Sequence, residues 1–162
     1  MTRRIELSRA DLLRRISISY QASLFIIVEG KVHDPYFIDK LCQNSEAIKK
    51  SGFEIRLIGQ IASDGGTYAG GKHAVLDFFE HCKIAGKLVQ RNKGGYRSIA
   101  FVVDRDTQQI TGGMRRSPHV IYTFYADVEA HIFAESNEAE ALAAAASLDS
   151  TSAADLLRSL GD

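Results

Sequence analysis

Two short apolar runs, LFIIV at 24–28 and the core of SIAFVVD at 98–104, constrain this chain more than any other feature. Both are rich in β-branched residues and neither alternates with polar ones, so each reads as a strand covered on both faces. Strands of that kind belong to parallel sheets sandwiched between helices. Two further β-rich segments fit beside them. FEIRLIG at 53–59 starts by alternating apolar with charged residues, as an outer strand does, and HVIYTF at 119–124 supplies a fourth. The class expected is α/β: a mostly parallel central sheet of about four strands flanked by helices, joined by right-handed crossovers.

The intervening segments carry helix signals. SRADLLRRISISY opens with Ser8 three residues before Asp11, a capping-box-like start, and continues with Leu12, Leu13, Ile16 and Tyr20 at helical spacing. After the first strand, Asp34 and Pro35 provide an N-cap and a first-turn proline, with Phe37, Leu41 and Ile48 lining one side of a helix that Gly52 ends. From Lys72, the residues Val75, Phe78, Phe79, Cys82, Ala85 and Leu88 fit one long helix closed by NKGG. The alanine-rich stretch beyond Phe133 reads as two helices separated by LDSTSA. One domain spanning 1–162 is expected, with a core of about 22–134 and a helical extension of about 135–162.

Composition narrows the partners. Twenty basic and twenty acidic residues cancel, so an anionic partner must be held by a local patch. Cys42 and Cys82 have no metal-type spacing and read as reduced core residues. MTRRIELSRADLLRR has no apolar signal-peptide run, and no stretch approaches the ~20 apolar residues of a bilayer span. A cytoplasmic protein with no membrane partner is expected.

Ligands of a parallel sheet bind beyond the carboxyl ends of its strands. Glu29 ends the first apolar run, and Asp104 and Asp106 end the other, two positions apart so that both can face one way. One glutamate at a strand mouth needs only water. If the two strands are neighbours, three carboxylates converge at one edge, and the ~3 kcal/mol by which two charges ~5 Å apart repel at an effective dielectric of ~20 is tolerable with a cation between them. An oxygen-only pocket suits a hard ion, Mg²⁺ or Mn²⁺.

IIVEG followed by FVVDRD resembles the TOPRIM domain, the metal-binding module of topoisomerases, bacterial primases, small maturation ribonucleases and OLD-type nucleases. The matching positions are Glu29, Gly30, Asp104 and Asp106, and the likeness covers about 24–133. It implies a TOPRIM-like Rossmannoid fold. Within the family the chain is most similar to OLD-type nucleases and related bacterial proteins associated with phage defence. YTFYADVEAHIF offers Asp127 and Glu129 where that branch carries an I-E-N-like segment. Two features depart from family patterns. His33 stands four positions after Glu29 where an acid is usual, leaving Asp34 as a helix cap, and DRDTQQITGG reaches its first glycine only at Gly112. The late glycine favours the OLD-like branch over the ribonuclease and primase types.

The chemistry this resemblance implies is metal-assisted phosphodiester hydrolysis of DNA or RNA. Asp104 and Asp106 would hold Mg²⁺ or Mn²⁺, and Glu29 would serve as a further ligand or as the base that activates water. Gly30 would let the backbone approach a phosphate. Asp127 and Glu129 either hold a second ion or cap and solvate the helix after the fourth strand. Lys31, Arg115 and Arg116 are candidate phosphate contacts.

GTYAGGKH at 66–73 matches the glycine and lysine positions of a P-loop, with His73 where a Ser or Thr would bind Mg²⁺. It reads either as a glycine loop beside the site or as a phosphate contact through Lys72 and a helix N-terminus. Lys83, Lys87 and Arg91 recur every four positions along one expected helix face, and Lys93 and Arg97 continue it. Two functions of different class follow: a metal-dependent nuclease, and a non-catalytic TOPRIM-like module acting with a partner ATPase or as a homo-oligomer, with a P-loop-like nucleotide binder as a lesser alternative.

Overall fold

The computed structural model describes residues 7–30, 33–63, 66–67, 70–105, 114–123, 149, 151–152, 155 and 158. In chain order the described elements are β1 (Leu7–Ser8), α1 (Arg9–Ile18), β2 (Leu24–Val28), α2 (His33–Gln43), α3 (Glu46–Ser51), β3 (Phe53–Leu57), a short 3-10 turn (Ile58–Gln60), β4 (Ile61–Ser63), β5 (Gly66–Thr67), α4 (Lys72–Ile84), β6 (Val89–Asn92), β7 (Gly95–Val103) and β8 (Val120–Tyr122). The chain divides into two compact units. One is Met1–Val103 with Arg115–Tyr122, and the other is Asp104–Met114 with Thr123–Asp162.

The main sheet of the first unit is α/β and mostly parallel. Its strands run in the order β3-β2-β7-β6, with β8 also on β7. β3, β7 and β8 join the parallel set, and only β6 is antiparallel. The two apolar runs are neighbours at its centre, with Ile27 beside Phe101. Alternation along both strands explains why neither run is interrupted. Phe25, Ile27, Ile99, Phe101 and Val103 pack with Leu12 and Ile16 of α1 and Val75, Phe78, Phe79 and Cys82 of α4. Ile26, Val28 and Val102 face the other way, onto Ile38 and Cys42 of α2. A strand with helices on both faces has no polar face to show.

Several elements follow the sequence closely. The Ser8 side chain accepts from the Asp11 N–H at 3.0 Å, capping α1 as its spacing predicts. β2 spans the LFIIV run, and β3 is an edge strand. Cys42 and Cys82 are free and buried. Burial pushes the Cys82 thiol up to about 12, against a smaller opposing pull from Arg9.

Other expectations are corrected. Tyr20 lies beyond α1 and is exposed. The helix expected to run to Gly52 breaks after Gln43, because the Ser45 hydroxyl caps a new helix by accepting from the Ile48 N–H. Leu41 is half exposed, and Ile38 and Cys42 face the core in its place. Gly52 does end the helical segment, at φ +71, and a Cβ there would collide with the Gln21 carbonyl. Helix α4 stops at Ile84, so Lys87 and Arg91 share no helix face with Lys83. They belong to the stretch entering a hairpin: β6 and β7 pair from Val89–Ser98 to Asn92–Gly95 around Lys93 and Gly94. Arg97 is buried, donating from Nε to the Ser19 carbonyl at 2.7 Å, so it clamps the end of α1. A second, three-stranded sheet of β1, β4 and β5 was not foreseen.

In the second unit, Asp149 accepts hydrogen bonds from the Thr151 and Ser152 N–H groups, both at 3.0 Å, and from the Ser152 hydroxyl. The Ser152 hydroxyl bond leads in holding the Asp149 carboxyl below its usual range. Thr151, Ser152, Asp155 and Arg158 are helical, with Asp155 and Arg158 paired at 3.0 Å. The helix expected before LDSTSA lies outside the described residues. Among the described residues, no helix is long and apolar enough to cross a membrane.

Candidate functional site

Parallel pairing fixes where four strands end. Val28 stands beside Leu57, Ile27 beside Phe101 and Val103 beside Tyr122, so β3, β2, β7 and β8 finish at one edge of the sheet. Glu29 is the next residue after β2 and is half-buried. Asp104 is the next residue after β7 and opens the second unit. In that unit the Arg105 N–H donates to Thr123 Oγ1 at 3.1 Å, linking the residues that follow β7 and β8. Thr123 is buried, and its role had no signal in the sequence beyond a hydroxyl directly after a strand.

Gly30 has a local reason to be glycine. Its N–H donates to Asp34 Oδ2 at 2.6 Å, and a Cβ at position 30 would lie 2.7 Å from the Asp34 carboxylate atoms. Asp34 therefore reaches back from the first turn of α2 to the end of β2, whereas it was expected to cap the helix. The acid five positions after Glu29 orders the turn that carries Glu29.

The glycine-rich loop arrives at the same place. Gly70 and Gly71 have φ of +97 and +78, a region that disfavours side chains, and a Cβ on Gly70 would rest 3.9 Å from the Glu29 carbonyl oxygen. Gly71 then caps α4 with its own carbonyl, which accepts from Ala74 and Val75. Lys72 is the first residue of α4, 8% exposed, with its ammonium 5.8 Å from the centre of the Tyr122 ring. A cation over a ring at this separation is attracted by the π face. Thus Glu29 and the Gly70–Lys72 segment, about forty residues apart in sequence, meet the C-terminal edge of the central strands. Gly66 pairs with Ser63 within the smaller sheet, so the P-loop-like motif does not follow a central strand.

Arg115 is held by two bonds. Its N–H donates to the Tyr122 hydroxyl at 2.7 Å, and its guanidinium pairs with Glu80 of α4 at 2.7 Å. Arg116 beside it is exposed. A phosphate could recruit Arg115 only by competing with Glu80, a partner that a reading of the loop alone does not reveal. Lys31, Asp106, Asp127 and Glu129 lie outside the described residues. Among the described residues, no three His, Cys, Asp or Glu side chains gather as an ion would require. Of the expected acids, Glu29 and Asp104 are described, each directly following a central strand. No protein-family model, curated protein or solved structure matches this chain.

Proposed function

We propose that this chain is a TOPRIM-like nuclease, hydrolysing phosphodiester bonds with Mg²⁺ or Mn²⁺ held by Glu29, Asp104 and Asp106. The observation that carries this reading is the register of β2 on β7, which makes the strands preceding Glu29 and Asp104 central, parallel neighbours. A bound ion supplies Lewis-acid polarisation of the phosphoryl oxygen. Glu29, on a turn ordered by Gly30 and Asp34, takes a proton from the attacking water or adds a ligand oxygen. Lys72 supplies positive charge at the same edge, at the N-terminus of α4. Arg116, exposed beside an Arg115 that Glu80 already engages, is the better placed of the pair to meet a backbone phosphate.

Two observations favour the second reading, a non-catalytic module that works with a partner ATPase. Arg115 is already paired with Glu80, and Lys72 already lies over Tyr122. The deciding experiment offers labelled single- and double-stranded DNA and RNA to the protein with Mg²⁺, Mn²⁺ or chelator. Cleavage that needs metal and falls about 100-fold or more in Glu29→Gln and in Asp106→Asn supports the nuclease. Metal binding without cleavage supports the module.

A further inference from the structure

We propose that β3 is the self-pairing edge of a two-fold dimer, joining the main sheets of two copies of this chain antiparallel across Ile55. Among the described residues, β3 pairs with β2 alone and ends the sheet. Every residue of β3 is half-buried, so the strand keeps a solvent-facing side. An edge strand displays unpaired backbone donors and acceptors, which chains that must remain monomeric blunt with proline, bulges, a very short strand or charged side chains. FEIRL contains no proline and pairs continuously with β2 from Phe53 to Leu57, and its two charges, Glu54 and Arg56, neutralise each other as an ion pair.

The occupant is identified by the side-chain order. Phe53, Ile55 and Leu57 share the face that packs on the Ile26, Val28, Ile38 and Cys42 cluster. Glu54 and Arg56 share the opposite face, where they form an ion pair. Turning FEIRL about a two-fold axis at Ile55 sets Phe53 opposite Leu57 of the second copy and Glu54 opposite its Arg56. Each apolar residue then meets an apolar one, and each charge meets its opposite, twice over by symmetry. A slip by one residue sets apolar against charged positions and loses both matches.

The test uses the full chain and four samples in sedimentation velocity: the protein, Glu54→Arg, Arg56→Glu and an equimolar mixture of the two variants. The protein is expected to be a dimer. Either single reversal places like charges opposite each other at both sites, and should raise the dissociation constant at least about tenfold. Mixing the variants restores opposite charges at both sites, and dimers should return as heterodimers. Circular dichroism of each variant separates loss of pairing from loss of fold, and recovery on mixing excludes misfolding as the cause. A monomeric protein at micromolar concentration, single reversals that stay dimeric, or a mixture that fails to recover would each overturn the proposal.

Discussion

Replacing Gly30 with alanine separates two reasons for a glycine behind Glu29. The structural reason is Asp34: a methyl group would sit 2.7 Å from its carboxylate, too close for either to stay in place. The carboxylate must swing away and forfeit the 2.6 Å bond from the Gly30 N–H. A hydrogen bond to a charged acceptor contributes about 1.5–3 kcal/mol, and the half-buried setting points to the lower end, about 1.5 kcal/mol. For a chain of 162 residues that corresponds to a melting temperature lower by about 3–6 °C. Asp34→Ala should cost a similar amount. In the double variant the alanine meets no carboxylate, so Gly30→Ala should then add little, giving a coupling of about 1 kcal/mol or more in urea unfolding. Additive losses would refute the packing explanation. Cleavage read on the same proteins tests the other reason. A Gly30 needed to admit a phosphate would lose activity in both backgrounds, whereas a Gly30 needed for Asp34 would lose it only where Asp34 remains.

Two further outcomes follow from the core. Phe101→Ala empties a fully buried site whose ring meets Phe78 and Phe79 edge-on, with centroids 6.0 and 5.4 Å away, and should cost about 3–5 kcal/mol by chemical denaturation. Cys82 keeps its proton in the fold up to about pH 12, while the unfolded chain releases it near 9.0. The unfolded state therefore binds fewer protons above pH 9.0, stability falls as the pH rises from there towards 12, and Cys82→Ala should flatten that decline.

The central strands were legible because burial on both faces leaves an unmistakable trace, an unbroken β-branched run. Capping was legible at Ser8, where a hydroxyl three residues before an acid has one strong use. The same reasoning misplaced Asp34, since a carboxylate at the start of a helix can bond forward to helix N–H groups or back to a preceding turn, and spacing alone does not choose. NKGG announced a chain reversal but not its kind. Ala85, Leu88 and the basic residues extend a helical period past Ile84, while the hairpin that overrides it depends on pairing with β7. Small strands such as β1 and β5, two residues each, are defined by their partners and leave no periodic signal. At the candidate site, chain order revealed Glu29 and Asp104 at strand ends. The approach of Gly70 to Glu29, and the holding of Arg115 by Glu80, are tertiary facts with no local signature.

The most direct test of the central claim is a Mn²⁺ titration followed by electron paramagnetic resonance, on the protein and on a Glu29→Gln, Asp104→Asn double variant. Carboxylates delivered by paired parallel strands predict saturable Mn²⁺ binding in the protein that is competed by Mg²⁺ and lost in the double variant, whose circular dichroism stays unchanged. Equal Mn²⁺ binding by a folded double variant, or none by the protein itself, would contradict it.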